Sequence, residues 1–111
     1  MGFAEVKQIL DRAIDGWRKA NNNAVPKLSQ KHGATFSWDT REKLLAAQAR
    51  GLPLIQPGMI GNGQGNQTNL VVALSNQNGV NNFGQMPDGG PFLDAVSIKK
   101  IADWIDAGCP S

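Results

Sequence analysis

Few side chains in this sequence have the chemistry of a nucleophile, a general base or a soft metal ligand. The chain has one cysteine, Cys109, and one histidine, His32, and they stand far apart. A nucleophilic cysteine needs a neighbouring base, which only His32 could supply. The carboxylates Asp88 and Asp94 keep hydrolytic or transferase chemistry open, but no nucleophile, base and acid are grouped in the sequence. The sequence therefore predicts no catalytic residues, no enzymatic activity and no metal ligands.

Charge and composition argue against several kinds of partner. The formal net charge is only +2 and the lysines and arginines are scattered, so we expect no nucleic acid. The glycine-rich run at residues 61–65 lacks both G-x-G-x-x-G spacing and a preceding strand, which argues against phosphate binding. No apolar run approaches the ~20 residues of a membrane span, and no signal peptide is recognisable. The expected location is cytoplasmic if the chain is complete; alternatively it is a piece excised from a larger protein.

Two long segments, one at each end of the chain, have the apolar periodicity of amphipathic helices. The first runs from about residue 3 to residue 20 and carries Trp17 near its end. The last has Asp94 as its N-cap and is closed by Gly108 and Pro110, with Trp104 at its flank. Each stripe must be buried against another element, so we expect the two helices to pack across one another. The residues expected in this contact are Val6, Ile9, Leu10, Ile98, Ile101 and Ile105.

Two shorter helices are predicted between the long ones. One begins near residues 39–40 and stops at Gly51, and the other opens near residues 66–68 and is broken by the polar run 76–79. No alternating run of β-branched residues is long enough for a convincing strand. The sequence therefore predicts a single all-α domain over residues 1–111, with about four helices and long loops.

The last quarter of the chain resembles the methionine-ligand loop and closing helix of a c-type cytochrome. The loop reads M-P-D-G-G-P-F-L-D from Met86 to Asp94, and the helix reads S-I-K-K-I-A-D-W-I-D-A-G-C-P from Ser97 to Pro110. Upstream, residues 36–45, 54–58 and 69–74 follow the order of segments in the short cytochrome c domains of planctomycetes. The resemblance implies a cytochrome c-like fold, in which the first and last helices cross and the intervening loops surround a haem.

The residues that attach haem in that family are missing. Covalent attachment needs a C-x-x-C-H motif, because two thiols bond the vinyl groups and the histidine ligates the iron. In our alignment Ala13, Gly16 and Trp17 stand where Cys, Cys and His would be. Met86 matches the axial methionine, but a thioether without a partner histidine more often packs as an apolar side chain. We therefore expect no cofactor.

Loss of haem would leave an unfilled volume inside the fold. A haem occupies on the order of 500 Å³, and an apolar void costs about 24 cal/mol per Å³, so an empty site would cost roughly 10 kcal/mol. This rivals the stability of a whole domain. The pocket must therefore collapse, be filled by side chains or hold another ligand. The residues expected to line or fill it are Ala13, Gly16, Trp17, Trp38, Met59, Met86 and Pro87.

Two functions remain open from the sequence. The first is a haem-free cytochrome c-like module with a non-catalytic role, either docking to a protein partner or neighbouring domain or binding a small ligand. Loss of the iron would remove the only group in this fold that could carry redox chemistry. The alternative is an electron-transfer protein that holds haem or copper non-covalently through Met86 and His32.

Overall fold

The computed structural model of the chain describes residues 2–24, 33, 35–82, 84–87 and 89–111. About half of these residues are helical. Within this described part, none of the helices has the length and apolar character that crossing a bilayer requires. The α-helices are α1 (Phe3–Ala20), α2 (Arg41–Ala46), α3 (Asn69–Ser75) and α4 (Ala95–Asp106).

A short β-hairpin that the sequence did not predict follows α2. Strand β1 (Gln48–Ala49) pairs in antiparallel fashion with β2 (Leu52–Pro53). Arg50 and Gly51 form the turn with φ angles of 54° and 82°, and two positive φ angles give the strands the twist of a tight hairpin. Strands of two residues are too short to show an alternating pattern. As a result α2 ends at Ala46, and the predicted stop at Gly51 was wrong.

The three later helices each begin at a side-chain cap. The hydroxyl of Thr40 accepts a hydrogen bond from the third residue beyond it, and the hydroxyl of Thr68 does the same at the start of α3. At the start of α4 the Asp94 carboxylate accepts from the Ser97 amide at 3.0 Å and from the Ser97 hydroxyl at 2.7 Å. Short helices gain little from cooperativity, so caps help to fix where they start. The predicted starts of these helices are confirmed.

Helices α1 and α4 run in opposite directions and share one core. At one end the rings of Phe3 and Trp104 lie 6.1 Å apart between centroids. Towards the other end Gly16 of α1 lies against Pro91, which leads into α4. Ile98 is half-buried, and the other residues expected in this contact are buried in one cluster, which confirms that the two stripes pack together: Val6, Ile9, Leu10, Ile101 and Ile105.

Trp104 lies inside this cluster, and its predicted place at the flank of α4 was wrong. Only 1% of the residue is exposed. Its ring nitrogen donates a hydrogen bond to the Pro110 carbonyl oxygen at 2.8 Å. A tryptophan can be buried when its N–H has a partner, and here the chain beyond the helix supplies one. The rest of the cluster comes from α2 and the residue after it, the two residues after β2, α3, α4 and the C-terminal segment, with Leu44, Ala47, Leu54, Ile55, Leu70, Val71, Leu74, Ala102 and Cys109.

Candidate functional site

The C-terminal half of α1 carries the three residues that our alignment places at the positions of the attachment motif. Ala13 is buried, while Gly16 and Trp17 are half-buried. A Cβ placed on Gly16 would stand 3.2 Å from Pro91 Cγ, which is closer than an ordinary van der Waals contact. The glycine therefore lets the segment before α4 lie directly against α1. At this position the helix face is covered by the chain itself.

Trp38 connects the segment before α2 to α1. Its ring nitrogen donates to the Asp11 carboxylate at 2.8 Å, and its ring meets Phe36 edge-on with centroids 5.7 Å apart. Lys7 lies 3.4 Å from Asp11 and 3.7 Å from Asp39, so the same carboxylate also takes part in a charged group on the surface. Trp38 packs against the buried cluster and is half-buried. Its contacts are those of a link between two chain segments.

The methionine loop is tied to α3 through its backbone. The amide of Met86 donates to the Ala73 carbonyl at 2.8 Å, and the side chain of Gln85 donates to the Leu74 carbonyl at 2.9 Å. The Pro87 carbonyl accepts from the Gly90 amide at 2.8 Å. Met86 and Pro87 are both half-buried. The loop is therefore attached to α3 by the Met86 amide and the Gln85 side chain.

Met59 stands at the end of a separate 3₁₀ turn, Pro57–Met59, and is half-buried. This turn is connected to the start of α3, because the Gln56 side-chain oxygen accepts from the Asn69 amide at 2.9 Å. The seven candidate residues thus belong to four places: α1, the segment before α2, the turn at Met59 and the loop at Met86. Whether they line one shared volume stays a prediction.

The reactive side chains in the described part have structural partners. Cys109 is fully buried, its amide donates to the Trp104 carbonyl at 3.0 Å, and its carbonyl accepts from Arg41 at 2.5 Å. Burial raises the pKa of the Cys109 thiol, with the Arg41 charge opposing this, so the nucleophilic thiolate is disfavoured. Cys109 is therefore a small apolar side chain of the buried cluster.

Asp94, one of the two carboxylates considered for catalysis, caps α4. The Ser97 side chain and then the Ser97 amide lower the pKa of Asp94 by hydrogen bonding to the ionised form. A carboxylate held in this way is a poor proton donor near neutral pH. His32 and Asp88 lie outside the described residues. Within the described part no group of three or more His, Cys, Asp or Glu side chains is arranged to hold a metal ion.

Sequence reasoning missed a surface groove between α1 and α4. It has a volume of about 460 Å³. Ile9 contributes apolar surface, and the remaining lining side chains are polar or charged. Their spacing of three and four residues along α1 is the pattern of a helix face, which by itself is more typical of a solvated surface. These polar lining residues are Glu5, Gln8, Asp11, Arg12, Asp15 and Lys100.

Two large apolar side chains near the start of α4 are exposed to solvent. Phe92 is 49% exposed and Val96 is 65% exposed. Phe92 immediately follows Pro91, the residue packed against Gly16. Single exposed apolar residues are common, but two within one short segment can contribute to a contact surface. The exposure of Phe92 could not be read from the sequence, because Phe92 precedes the helix and has no position in its periodicity.

The fold and the contacts agree with the coarse expectation of a mostly helical domain whose first and last helices pack together. The finer resemblance to cytochrome c rests on the order of the sequence segments and on the motif around Met86. Comparison of the chain with protein-family models, with curated proteins and with solved structures finds no match.

Proposed function

We propose that this chain is a haem-free cytochrome c-like module with a non-catalytic role in docking to a protein partner or neighbouring domain, or in binding a small ligand. The observation that carries the proposal is at Gly16, which takes the place of the second attachment cysteine. Pro91 lies so close to it that even a Cβ would meet the proline ring at 3.2 Å. A cysteine bonded to a haem vinyl group needs far more room than this contact leaves.

The non-catalytic part of the proposal is supported by the roles of the reactive side chains. Cys109 is buried with a raised thiol pKa, and Asp94 is committed to capping α4. Core packing by Cys109 and helix capping by Asp94 therefore explain the positions of both residues without a catalytic role. Docking is supported by the exposure of Phe92 and Val96 next to the segment that covers Gly16. A partner that covered them would gain from removing apolar surface from water.

A haem titration tests the proposal against the electron-transfer alternative. The purified protein should be colourless after expression in a haem-competent host, without the Soret band at about 400 nm that bound haem would give. Added haem should not bind in a saturable, stoichiometric way. Saturable binding that is lost in Met86→Ala and kept in Met59→Ala would favour the alternative. Met59 is a matched control because it is the other half-buried methionine expected at the pocket, and its removal deletes a thioether without deleting the proposed ligand.

Restoring the attachment motif tests the cytochrome c-like part separately. The triple change Ala13→Cys, Gly16→Cys and Trp17→His creates C-x-x-C-H at residues 13–17. With Pro91→Ala added to relieve the contact at residue 16, and expressed together with a haem-attachment system, this variant should carry covalent haem with Met86 as the second axial ligand. Adding Met86→Ala should then change the ligand-field spectrum, while Met59→Ala should not. Covalent haem whose spectrum ignores Met86→Ala would contradict the cytochrome c-like assignment and leave the haem-free assignment intact.

A further inference from the structure

We propose that Asn62 is a site of spontaneous covalent modification, in which it cyclises onto the backbone nitrogen of Gly63 and is converted to aspartate and isoaspartate. The Gly63 nitrogen attacks Asn62 Cγ, the bond from Cγ to the side-chain nitrogen breaks, and ammonia leaves. The product is a five-membered succinimide. Water then opens either carbonyl of the ring, which gives the two acidic products without any oxidant, reductant or enzyme.

The sequence contains two Asn-Gly pairs, and the structure separates them. They are Asn62-Gly63 and Asn78-Gly79. Glycine is the residue that least hinders this attack, so both pairs have the same local chemistry. In an unfolded chain they should therefore react at similar rates. Any large difference between them in the native protein must come from the folded structure.

Asn62-Gly63 is exposed and has open space beside the glycine. Asn62 and Gly63 are both exposed, and a Cβ placed on Gly63 would meet nothing within 4 Å. The described residues provide no hydrogen-bond acceptor for the Gly63 amide. One interaction opposes the reaction, because the Asn62 side-chain nitrogen donates to the Gly58 carbonyl at 2.6 Å. That bond is exposed, and water can replace it at little net cost.

Asn78-Gly79 is held in a compact turn. The Gly79 amide, which would have to attack, donates to the Asn76 carbonyl at 2.8 Å. The Asn78 carbonyl accepts from the Gly84 amide at 2.9 Å, and a Cβ on Gly79 would overlap the Gly84 carbonyl oxygen. Loss of the amide proton and rotation of this peptide group would both break native hydrogen bonds. Folding should therefore protect Asn78 and leave Asn62 reactive.

The modification would place a new negative charge beside the end of α4. The loop that carries Asn62 is attached there on both sides, because the Gly61 amide donates to the Ile105 carbonyl at 3.0 Å and the Gly65 amide donates to the Asp106 carboxylate at 2.8 Å. The new carboxylate has the same sign as Asp106 and as the C-terminal end of the helix dipole. Modification should weaken the attachment of this loop to α4.

The test is peptide mapping by mass spectrometry of the full chain, aged at mildly alkaline pH in native buffer and in urea. In native buffer Asn62 should be converted at least about tenfold faster than Asn78, the factor that one backbone hydrogen bond is able to supply. In urea the two rates should converge. Asn62→Gln should abolish most of the native mass gain, and the matched control Asn78→Gln should leave it nearly unchanged.

Similar native rates at the two sites, including negligible conversion at both, would overturn the proposal, as would a preference for Asn62 that survives unchanged in urea. The consequence is measured independently with Asn62→Asp, which carries the product charge from the start. Hydrogen exchange of the Gly61 and Gly65 amides should become faster in this variant than in Asn62→Gln. Equal exchange in the two variants would show that the new charge does not loosen the loop.

Discussion

The two halves of α1 are packed by different means. In the N-terminal half, Val6 is completely buried and Ile9 is 2% exposed, and both lie in the large cluster with α4. In the C-terminal half, Gly16 meets Pro91 without any side chain of its own, and Trp17 keeps part of its surface accessible. The first half is packed by large apolar side chains, and the second by close contact between the helix backbone and the Pro91 ring. Substitutions should therefore act in opposite ways: removing atoms damages the first half, and adding atoms damages the second.

The largest effect is expected from removing a core side chain opposite the first half of α1. Ile101 is completely buried, so Ile101→Ala should lower the free energy of unfolding by about 2–5 kcal/mol through lost burial and a residual cavity. Urea denaturation followed by circular dichroism measures this. Val96→Ala on the exposed side of the same helix is the control and should change stability by less than ~0.5 kcal/mol. A loss below about 1 kcal/mol at Ile101 would contradict its place in the core.

Adding volume in the second half should destabilise through a specific neighbour. Gly16→Leu should cost about 1–3 kcal/mol, because the new side chain must displace Pro91. Part of this loss should be recovered in the double variant with Pro91→Ala, giving a coupling free energy above about 0.5 kcal/mol. Gly58→Leu is the matched control, since a Cβ on Gly58 meets nothing within 4 Å. Additive effects of the Gly16 and Pro91 changes would refute the contact as the cause.

Trp17 should matter less than a tryptophan in the core. Because it is half-buried, Trp17→Ala should lower stability by about 1–2 kcal/mol, whereas Trp104→Ala should cost about 3–5 kcal/mol. The same denaturation experiment compares them. A loss at Trp17 as large as that at Trp104 would show that its indole fills interior volume, which would favour filling of the proposed haem site by side chains.

The smallest effect is expected at the cap of α4, and it should depend on pH. The pKa of Asp94 is lowered in the folded chain by its bonds to Ser97, so its contribution to stability is present above the unfolded pKa of 3.8. It is lost as the pH falls through the lower folded pKa. Asp94→Ala should therefore reduce the melting temperature at neutral pH, and the difference from the unaltered chain should shrink in acid. A difference that stays constant over that range would mean that the charge of Asp94 is irrelevant to the cap.

Helix positions could be predicted from the sequence because their signals are local. The apolar stripe through Ile9 and the caps at Thr40, Thr68 and Asp94 each depend on residues within one or two turns. The hairpin after α2 could not be predicted, because two-residue strands carry no pattern. The contacts of the candidate-site residues could not be predicted either, because they join distant parts of the chain. The hydrogen bond from Trp38 to Asp11, for example, joins residues that are 27 positions apart.

The sequence by itself determined which faces of α1 and α4 must be buried and that no C-x-x-C-H motif is present. Only the tertiary structure decided that Trp104 is an interior residue and that Gly16 is covered by Pro91. The physical reason is the range of the interactions. A periodic apolar stripe predicts that one helix face is buried, but it does not predict which distant segment covers that face. Trp104 can be buried because the Pro110 carbonyl reaches its ring nitrogen, and Gly16 can meet Pro91 because a glycine has no Cβ to keep the two segments apart.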